Sequence, residues 1–464
     1  MQTEKVSLKE KIGYGLGDAA SSMFWKLFGM YLLFFYTDIF GLPATVVGTM
    51  FLITRIWDSF FDPIVGVIAD RTHSRWGKFR PYILYFSIPF GLIGILTFST
   101  PDFGPSGKII YAYITYSLMM MVYSMINVPY ASLLGVMTSN TNTRTQLSSY
   151  RMIFAFAGSL LALLLIQPLV DFFSGSSTQI PDLQNAWQLS LIVFAVIAAL
   201  FFFGTFYLCK ERVEPIKAAS NTLKEDIKDL IANRPWWILL GAGISALIFN
   251  SIRDGAAVYY FKYFVTYKSD FSFFGLNIPL TLTTLYLVIG QGANIVGILL
   301  ISPISIKIGK KMAYLGSMAL ATILSIAFYF LDKNDIALIF VVHFLISMCA
   351  GSIFPLLWSM YADTADYSEQ KTGRRATGLI FSSSSMSQKF GWSLGGALTG
   401  WLLGFYGFQA NVLQTVEATT GIVTMMSLLP AAGTILSVLF IFFYPLNEKK
   451  MAEVEVKLTE MRNK

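Results

Sequence analysis

Two carboxylates, Asp58 and Asp62, stand four residues apart in one long apolar stretch. That spacing puts them on one face of a helix. Two acids on a shared face repel each other in a low dielectric, so a cation, a proton or a basic side chain must lie between them. A coupling-ion site has this requirement. A permanent ion pair with Arg55 or Lys26 also meets it, and position leaves both readings open. Other charges recur inside apolar stretches: Asp18, Arg151, Arg253, Asp254, Lys262 and Lys389. A charge at the centre of a bilayer costs at least about 2.5–3.5 kcal/mol on insertion scales, so those that remain face a bundle interior. Asn127 precedes Val128-Pro129-Tyr130. A proline deep in a span frees a carbonyl for a ligand or a side chain, or simply kinks the helix. Asp70, Arg71, Arg75, Lys78 and Arg80 crowd one short segment. Such a segment suits a gate whose ion pairs form in one state and break in another. Setting membrane topology would require the same cations.

The elements that must hold these residues follow from hydropathy. The chain has 464 residues, of which 55% are apolar and only 13% charged. Soluble domains average about 25% charged, so a soluble enzyme, a disordered chain and a nucleic-acid binder are excluded. The net charge of +7 reflects basic loops rather than a nucleic-acid partner. Apolar stretches near the ~20 residues needed to cross hydrocarbon recur throughout. Twelve spans are predicted: 12–38, 44–70, 81–100, 107–137, 145–170, 187–209, 236–267, 277–305, 312–331, 336–362, 375–405 and 420–445. With the N-terminus inside, 25 of the 34 Lys and Arg residues fall on the cytoplasmic side and three on the other. This bias places both termini in the cytoplasm and requires an even number of spans. The polar segment 210–235 separates six spans from six, and its TLKEDIKDLI portion reads as a surface helix. The expected domains are therefore 1–209, the linker 210–235, 236–446 and a tail 447–464. Basic loops recur six spans apart, at Gly77-Lys78 and Gly309-Lys310, and at Arg144 and Arg374-Arg375. That repetition suggests a parallel duplication with a substrate site between halves near mid-bilayer. Cys209, Cys349, His73 and His343 form no metal or disulfide pattern. No cleavable signal peptide is expected ahead of the first span. No nucleophile–base constellation points to an enzyme.

The run Arg55-Ile56-Trp57-Asp58-Ser59-Phe60-Phe61-Asp62-Pro63, followed by Arg75-Trp76-Gly77-Lys78-Phe79-Arg80-Pro81, resembles the glycoside–pentoside–hexuronide:cation symporter family (melibiose permease-like) of the major facilitator superfamily. Tyr14-Gly15-Leu16-Gly17-Asp18, Phe35-Tyr36-Thr37-Asp38 and Ala362-Asp363-Thr364-Ala365-Asp366-Tyr367 match as well. The resemblance implies an all-α membrane protein of two six-helix bundles in the plasma membrane. It would carry out sugar or glycoside symport by alternating access. It implies cation coupling at Asp58 and Asp62 (metal ligands only if the ion is Na+), with Ser124 and Asn127 beside them. Substrate would be held by Asp18, Ser22, Lys26, Tyr123, Asn127, Arg151 and Lys389. Where melibiose permease has acids, this chain has Ser22 in span 1 and Asn127 in span 4, and its span 4 tryptophan is Ala131 here. The lost carboxylate favours H+ over Na+ as the coupling ion, and the added cations allow a uronide. No cofactor is expected. The partners are a small-molecule sugar or glycoside and membrane lipid, with no nucleic acid, and the chain is expected to act as a monomer. The same architecture could carry a lysophospholipid-type amphiphile, or serve as a non-transporting sensor.

Overall fold

The computed structural model describes residues 6–138, 141–175, 177–212, 228, 230–265, 271–273, 276–372 and 377–462. Nearly all of them are helical. The helices are α1 (Leu8–Leu27), α2 (Ala44–Arg71), α3 (Arg80–Thr97), α4 (Pro105–Met137), α5 (Thr141–Ser174), α6 (Ile180–Leu208), α7 (Arg234–Tyr259), α8 (Leu282–Ile308), α9 (Lys310–Phe328), α10 (Ile336–Thr372), α11 (Thr377–Phe405), α12 (Val416–Met426), α13 (Leu428–Phe442) and α14 (Glu448–Arg462). Wider π-type turns at Phe28–Leu32, Phe35–Ile39 and Tyr260–Val265 extend α1 and α7.

Local sequence explains where the helices start. Ser7 accepts from the backbone of Glu10 at 3.3 Å, and Glu10 accepts from the backbone of Ser7 at 2.9 Å. This reciprocal cap satisfies donors the first turn cannot pair internally. Proline opens α3, α4, α6 and α7, where its missing N–H costs nothing.

Two of the expected span limits are corrected. Residues 276–280 form a strand paired antiparallel with Phe271–Phe273, so the eighth span begins at Leu282 rather than 277. The last span is two helices, broken at Ser427 where the backbone leaves helical geometry (φ −132°, ψ −87°). The predicted linker helix lies largely outside the described residues.

Among the described residues, nine helices are long and apolar enough to cross a membrane, against the twelve crossings expected. The difference falls on α1, α2 and α11. The first two carry Asp18, Lys26, Arg55, Asp58 and Asp62, and α11 carries Lys389 and a run of serines. The polar residues that make these helices interesting also lower their hydropathy.

The chain divides into two compact units. One comprises 1–217, 268–285 and 410–412, and the other 218–267, 286–409 and 413–464. In the first, α1 packs on α5 and α6, and α3 packs on α4 and α6. In the second, α7 packs on α11 and α13, and α9 packs on α10 and α13. The same pattern of helix neighbours appears in both units.

Candidate functional site

In the first unit, α2 packs on α4, and this contact pairs their polar residues. Asp58 is buried, at 1% exposure. Its Oδ1 accepts the Ser124 hydroxyl at 2.9 Å, and its Oδ2 lies 3.5 Å from Nη1 of Arg55, one turn earlier on α2. The Arg55 guanidinium lies over the Trp25 ring at 4.3 Å, and Trp25 in turn meets the Tyr123 ring at 5.5 Å. Asp62, one turn beyond Asp58, is half-buried, as are Lys26 and Ser22 on α1. Asn127 donates its side-chain amide to the Tyr123 carbonyl of its own helix at 3.0 Å. Ser124, rather than Asn127, is the α4 residue bonded to Asp58.

A second charged pair joins α1 to α5. Arg151 Nε donates to Asp18 Oδ2 at 2.8 Å. The Arg151 guanidinium lies 5.4 Å from the centre of the Tyr130 ring, which stacks on Tyr14 at 4.8 Å. Tyr130 donates its hydroxyl hydrogen to the Tyr14 carbonyl. The two rings form an apolar backing for the paired guanidinium and carboxylate. Both rings are fully buried, so they pack behind the pair, and the partly exposed Arg151 is its accessible member. Tyr14 had no separate signal in the sequence, since a tyrosine in an apolar helix reads as packing.

Lys389 is half-buried on α11, in the second unit. That unit has its own buried polar cluster. Arg253 donates from Nη2 to the Tyr286 hydroxyl at 3.0 Å and to His343 Nδ1 at 3.2 Å. Arginine can only donate, so Nδ1 of His343 accepts and its Nε2–H donates to the Tyr286 carbonyl at 2.9 Å. Both histidine nitrogens are thereby assigned. The sequence showed Arg253 and His343 but gave no reason to join them.

Of the gate residues, Arg71 and Arg75 are exposed, and Arg75 lies over the Trp76 ring at 4.3 Å. Arg80 donates to the Phe206 carbonyl at 2.6 Å and 3.2 Å. The backbone N–H groups of Lys78, Phe79 and Arg80 all point at the Glu211 carboxylate, at 2.8, 2.8 and 2.9 Å. Glu211 was not foreseen, because a charge just past a span reads as solvated. The side chains of Asp70 and Arg144, and residues 374 and 375, lie outside the described residues. Among the described residues, no group of three or more His, Cys, Asp or Glu side chains could hold a metal ion.

A family model described as MFS/sugar transport protein matches residues 13–448. The inner membrane symporter YicJ of Escherichia coli is 37% identical over 438 residues, 94% of this chain and 91% of the relative. The isoprimeverose transporter of Lactiplantibacillus pentosus is 34% identical, covering 97% of this chain and 92% of its own. The glucuronide carrier protein homolog of Escherichia coli is 30% identical, covering 98% and 96%. Among solved structures, the nucleoside transporter NupG superposes with a TM-score of 0.60 at 15% identity, over 94% of this chain and 100% of that one. A bacterial homolog of the human lysosomal transporter Spinster superposes with a TM-score of 0.63 at 12% identity, over 97% of each. At such identities the structural likeness concerns the fold alone.

Proposed function

The chain belongs to the MFS/sugar transport protein family and is a multi-pass membrane transporter rather than an enzyme, and from that premise we propose that it moves a neutral sugar or glycoside together with H+. The chain crosses the membrane twelve times with both termini in the cytoplasm, as its cytoplasmic excess of Lys and Arg supports. Transport proceeds by alternating access, with 1–209 and 236–446 as the two moving halves. Asp58 is the ion-linked carboxylate, and Asp18 and Arg151 hold substrate hydroxyls. Relatives named as a symporter and as an isoprimeverose transporter support the substrate class.

One observation carries the choice of ion. The buried Asp58 receives a hydroxyl from Ser124 and lies 3.5 Å from Arg55. Na+ needs several oxygen ligands and net negative charge at its site, which the Arg55 guanidinium and the neutral Asn127 both reduce, whereas a proton needs a single carboxylate oxygen. The Asp18–Arg151 pair carries the choice of substrate. The arginine charge is already balanced at 2.8 Å, so a carboxylate on the sugar gains less there than a hydroxyl does.

Counterflow in proteoliposomes tests both choices. Isoprimeverose, a neutral xyloside and a glucuronide are compared, with and without Na+ and with a pH gradient. Uphill uptake of a neutral sugar driven by the pH gradient in the absence of Na+ is expected. A Na+-dependent rise in sugar affinity at fixed pH would overturn the proton assignment. Exclusive uptake of the glucuronide would overturn the neutral-sugar assignment.

A further inference from the structure

The inner ends of the two units carry the same device. In the first unit, Glu211, three residues beyond the end of α6, accepts from three successive backbone N–H groups at the start of α3. In return, Arg80 at the start of α3 donates to the Phe206 carbonyl near the end of α6. In the second unit, Glu448, beyond the end of α13, accepts from the Lys310 N–H that begins α9, at 2.6 Å. Lys311 donates to the Phe442 and Tyr444 carbonyls at the end of α13, at 2.9 and 2.7 Å. Each unit thus places an acid on the positive end of its third helix and a cation on the negative end of its sixth, the two arrangements the helix dipole favours.

The backbone is shaped for this. Gly77 and Gly309 precede the two capped helix starts with φ of +107° and +88°, a region side chains rarely adopt. A Cβ on either would run into the Glu211 or the Glu448 carboxylate. The acids come from the linker and from the tail, so no local sequence pattern relates them.

The first unit gathers more ends at the same point. Arg212 pairs with Glu10 of α1 at 2.6 Å, and its backbone N–H donates to the Val136 carbonyl at the end of α4 at 2.8 Å. Residues 211 and 212, with Arg80, therefore join the inner ends of α1, α3, α4 and α6. In the second unit, Lys310 pairs with Asp363 of α10 at 2.8 Å.

We propose that Glu211 and Glu448 are positioning residues for transport. Each clamps the inner ends of the third and sixth helices of its unit, so that those ends move as one body when the transporter changes state. The role rests on the transport reading above but not on the identity of the sugar or ion.

The test uses the full-length protein in lipid nanodiscs and proteoliposomes. Backbone amide exchange is read over residues 77–80 and 309–311 in the parent, Glu211→Ala and Glu448→Ala. Glu211→Ala is expected to speed exchange at 78–80 by about tenfold or more, without effect at 310, and Glu448→Ala to do the reverse. Counterflow is then run with the panel sugar that gives it. Its maximal rate is expected to fall about fivefold or more in either variant while equilibrium sugar affinity stays within about twofold. A static cap that merely aids folding would lower the amount of folded protein and leave the rate per folded molecule alone. Gly77→Ala supplies an independent route. It should speed exchange at 78–80 as Glu211→Ala does, and the two together should do no more than either alone, because both break one contact. Unchanged exchange, an unchanged counterflow rate per folded molecule, or equal loss of affinity and rate overturns the proposal. If no panel sugar gives counterflow in the parent, the sugar assignment fails, and the exchange results still decide whether the clamp exists.

Discussion

Ser124 donates its hydroxyl hydrogen to Oδ1 of Asp58 across the α2–α4 contact, at 2.9 Å. The other oxygen of that carboxylate faces Arg55 at 3.5 Å. The sequence left two readings for the span 2 acids, a visited ion site and a fixed ion pair. The Arg55–Asp58 contact is a long ion pair, compatible with either reading. Neutralising Asp58 separates them. Asp58→Asn keeps the shape and removes the charge that a coupling ion must meet. Accumulation driven by an ion gradient should disappear, while counterflow, which needs no net ion movement, persists. Measuring both in the same vesicles checks this. Accumulation that survives Asp58→Asn assigns the coupling elsewhere.

Much of the fold was legible because burial in lipid leaves few options. Apolar stretches of span length must be helices, and the repeated loops at Gly77-Lys78 and Gly309-Lys310 already hinted at a duplication. The span ends were less legible, and at 276–280 the sequence continued an apolar stretch where the chain forms a strand. Within the site, Asp58, Asp18 and Arg151 stood out because charge in an apolar helix is costly. Partners that are neutral or outside the spans gave no such signal. Ser124 became a candidate only by resemblance, Tyr14 looked like packing, and Glu211 looked like a solvated linker residue. The backbone N–H groups that Glu211 binds exist only once α3 and α6 end side by side.

The Asp18–Arg151 pair should be sensitive to loss of either member. Arg151→Gln leaves the buried Asp18 carboxylate without its cation, and Asp18→Asn leaves the guanidinium without its anion. Breaking a buried pair by removing one partner costs about 3–5 kcal/mol in general, with the lower end suited to Arg151, whose side chain is 33% exposed. Either change should weaken sugar affinity about tenfold or more. The double variant should be no worse than the single ones, since each has already broken the pair. Sugar binding measured at equilibrium in all four proteins checks this. Additive losses would mean that the two residues act separately.

Acid stability offers a test away from the transport path. Burial acts to raise the pKa of Glu10, but the Ser7 N–H and the Arg212 guanidinium outweigh it and hold the carboxyl below its ordinary 4.5. A group whose folded pKa is depressed adds stability that is complete above its unfolded value and is lost as pH falls through the folded value. Glu10→Gln should therefore lower the melting temperature at pH 7 and bring it closer to the parent below about pH 4.5. The loss at neutral pH should be about 1.5–3 kcal/mol, as for a charge-assisted hydrogen bond. Melting curves over pH 3.5–8 in detergent read this directly. Curves that stay parallel down to the acid end would show that Glu10 is not a source of the acid sensitivity.

Gly158 on α5 sets how close α1 can come. A Cβ there would overlap the backbone of Ala19, including its carbonyl oxygen. Ala19 follows Asp18, and Gly158 lies two turns from Arg151, so the same helix contact carries the ion pair. The physical chain is short. A residue without a side chain permits the backbones to touch, the touch fixes the separation of α1 and α5, and that separation lets Arg151 reach Asp18 at 2.8 Å. Overlap with rigid backbone cannot be relieved by a rotamer change, so even Gly158→Ala must push the helices apart, at a cost of about 1–3 kcal/mol. Gly158→Leu should push further and separate the pair altogether. The expected result is graded: Gly158→Ala folds and binds sugar several-fold more weakly, and Gly158→Leu binds as poorly as Arg151→Gln or fails to accumulate in the membrane. Adding Gly158→Ala to Arg151→Gln should cost little further affinity, because the bond it would strain is already gone. A full additional loss in that double variant would show that Gly158 acts on binding by a route other than the Asp18–Arg151 pair.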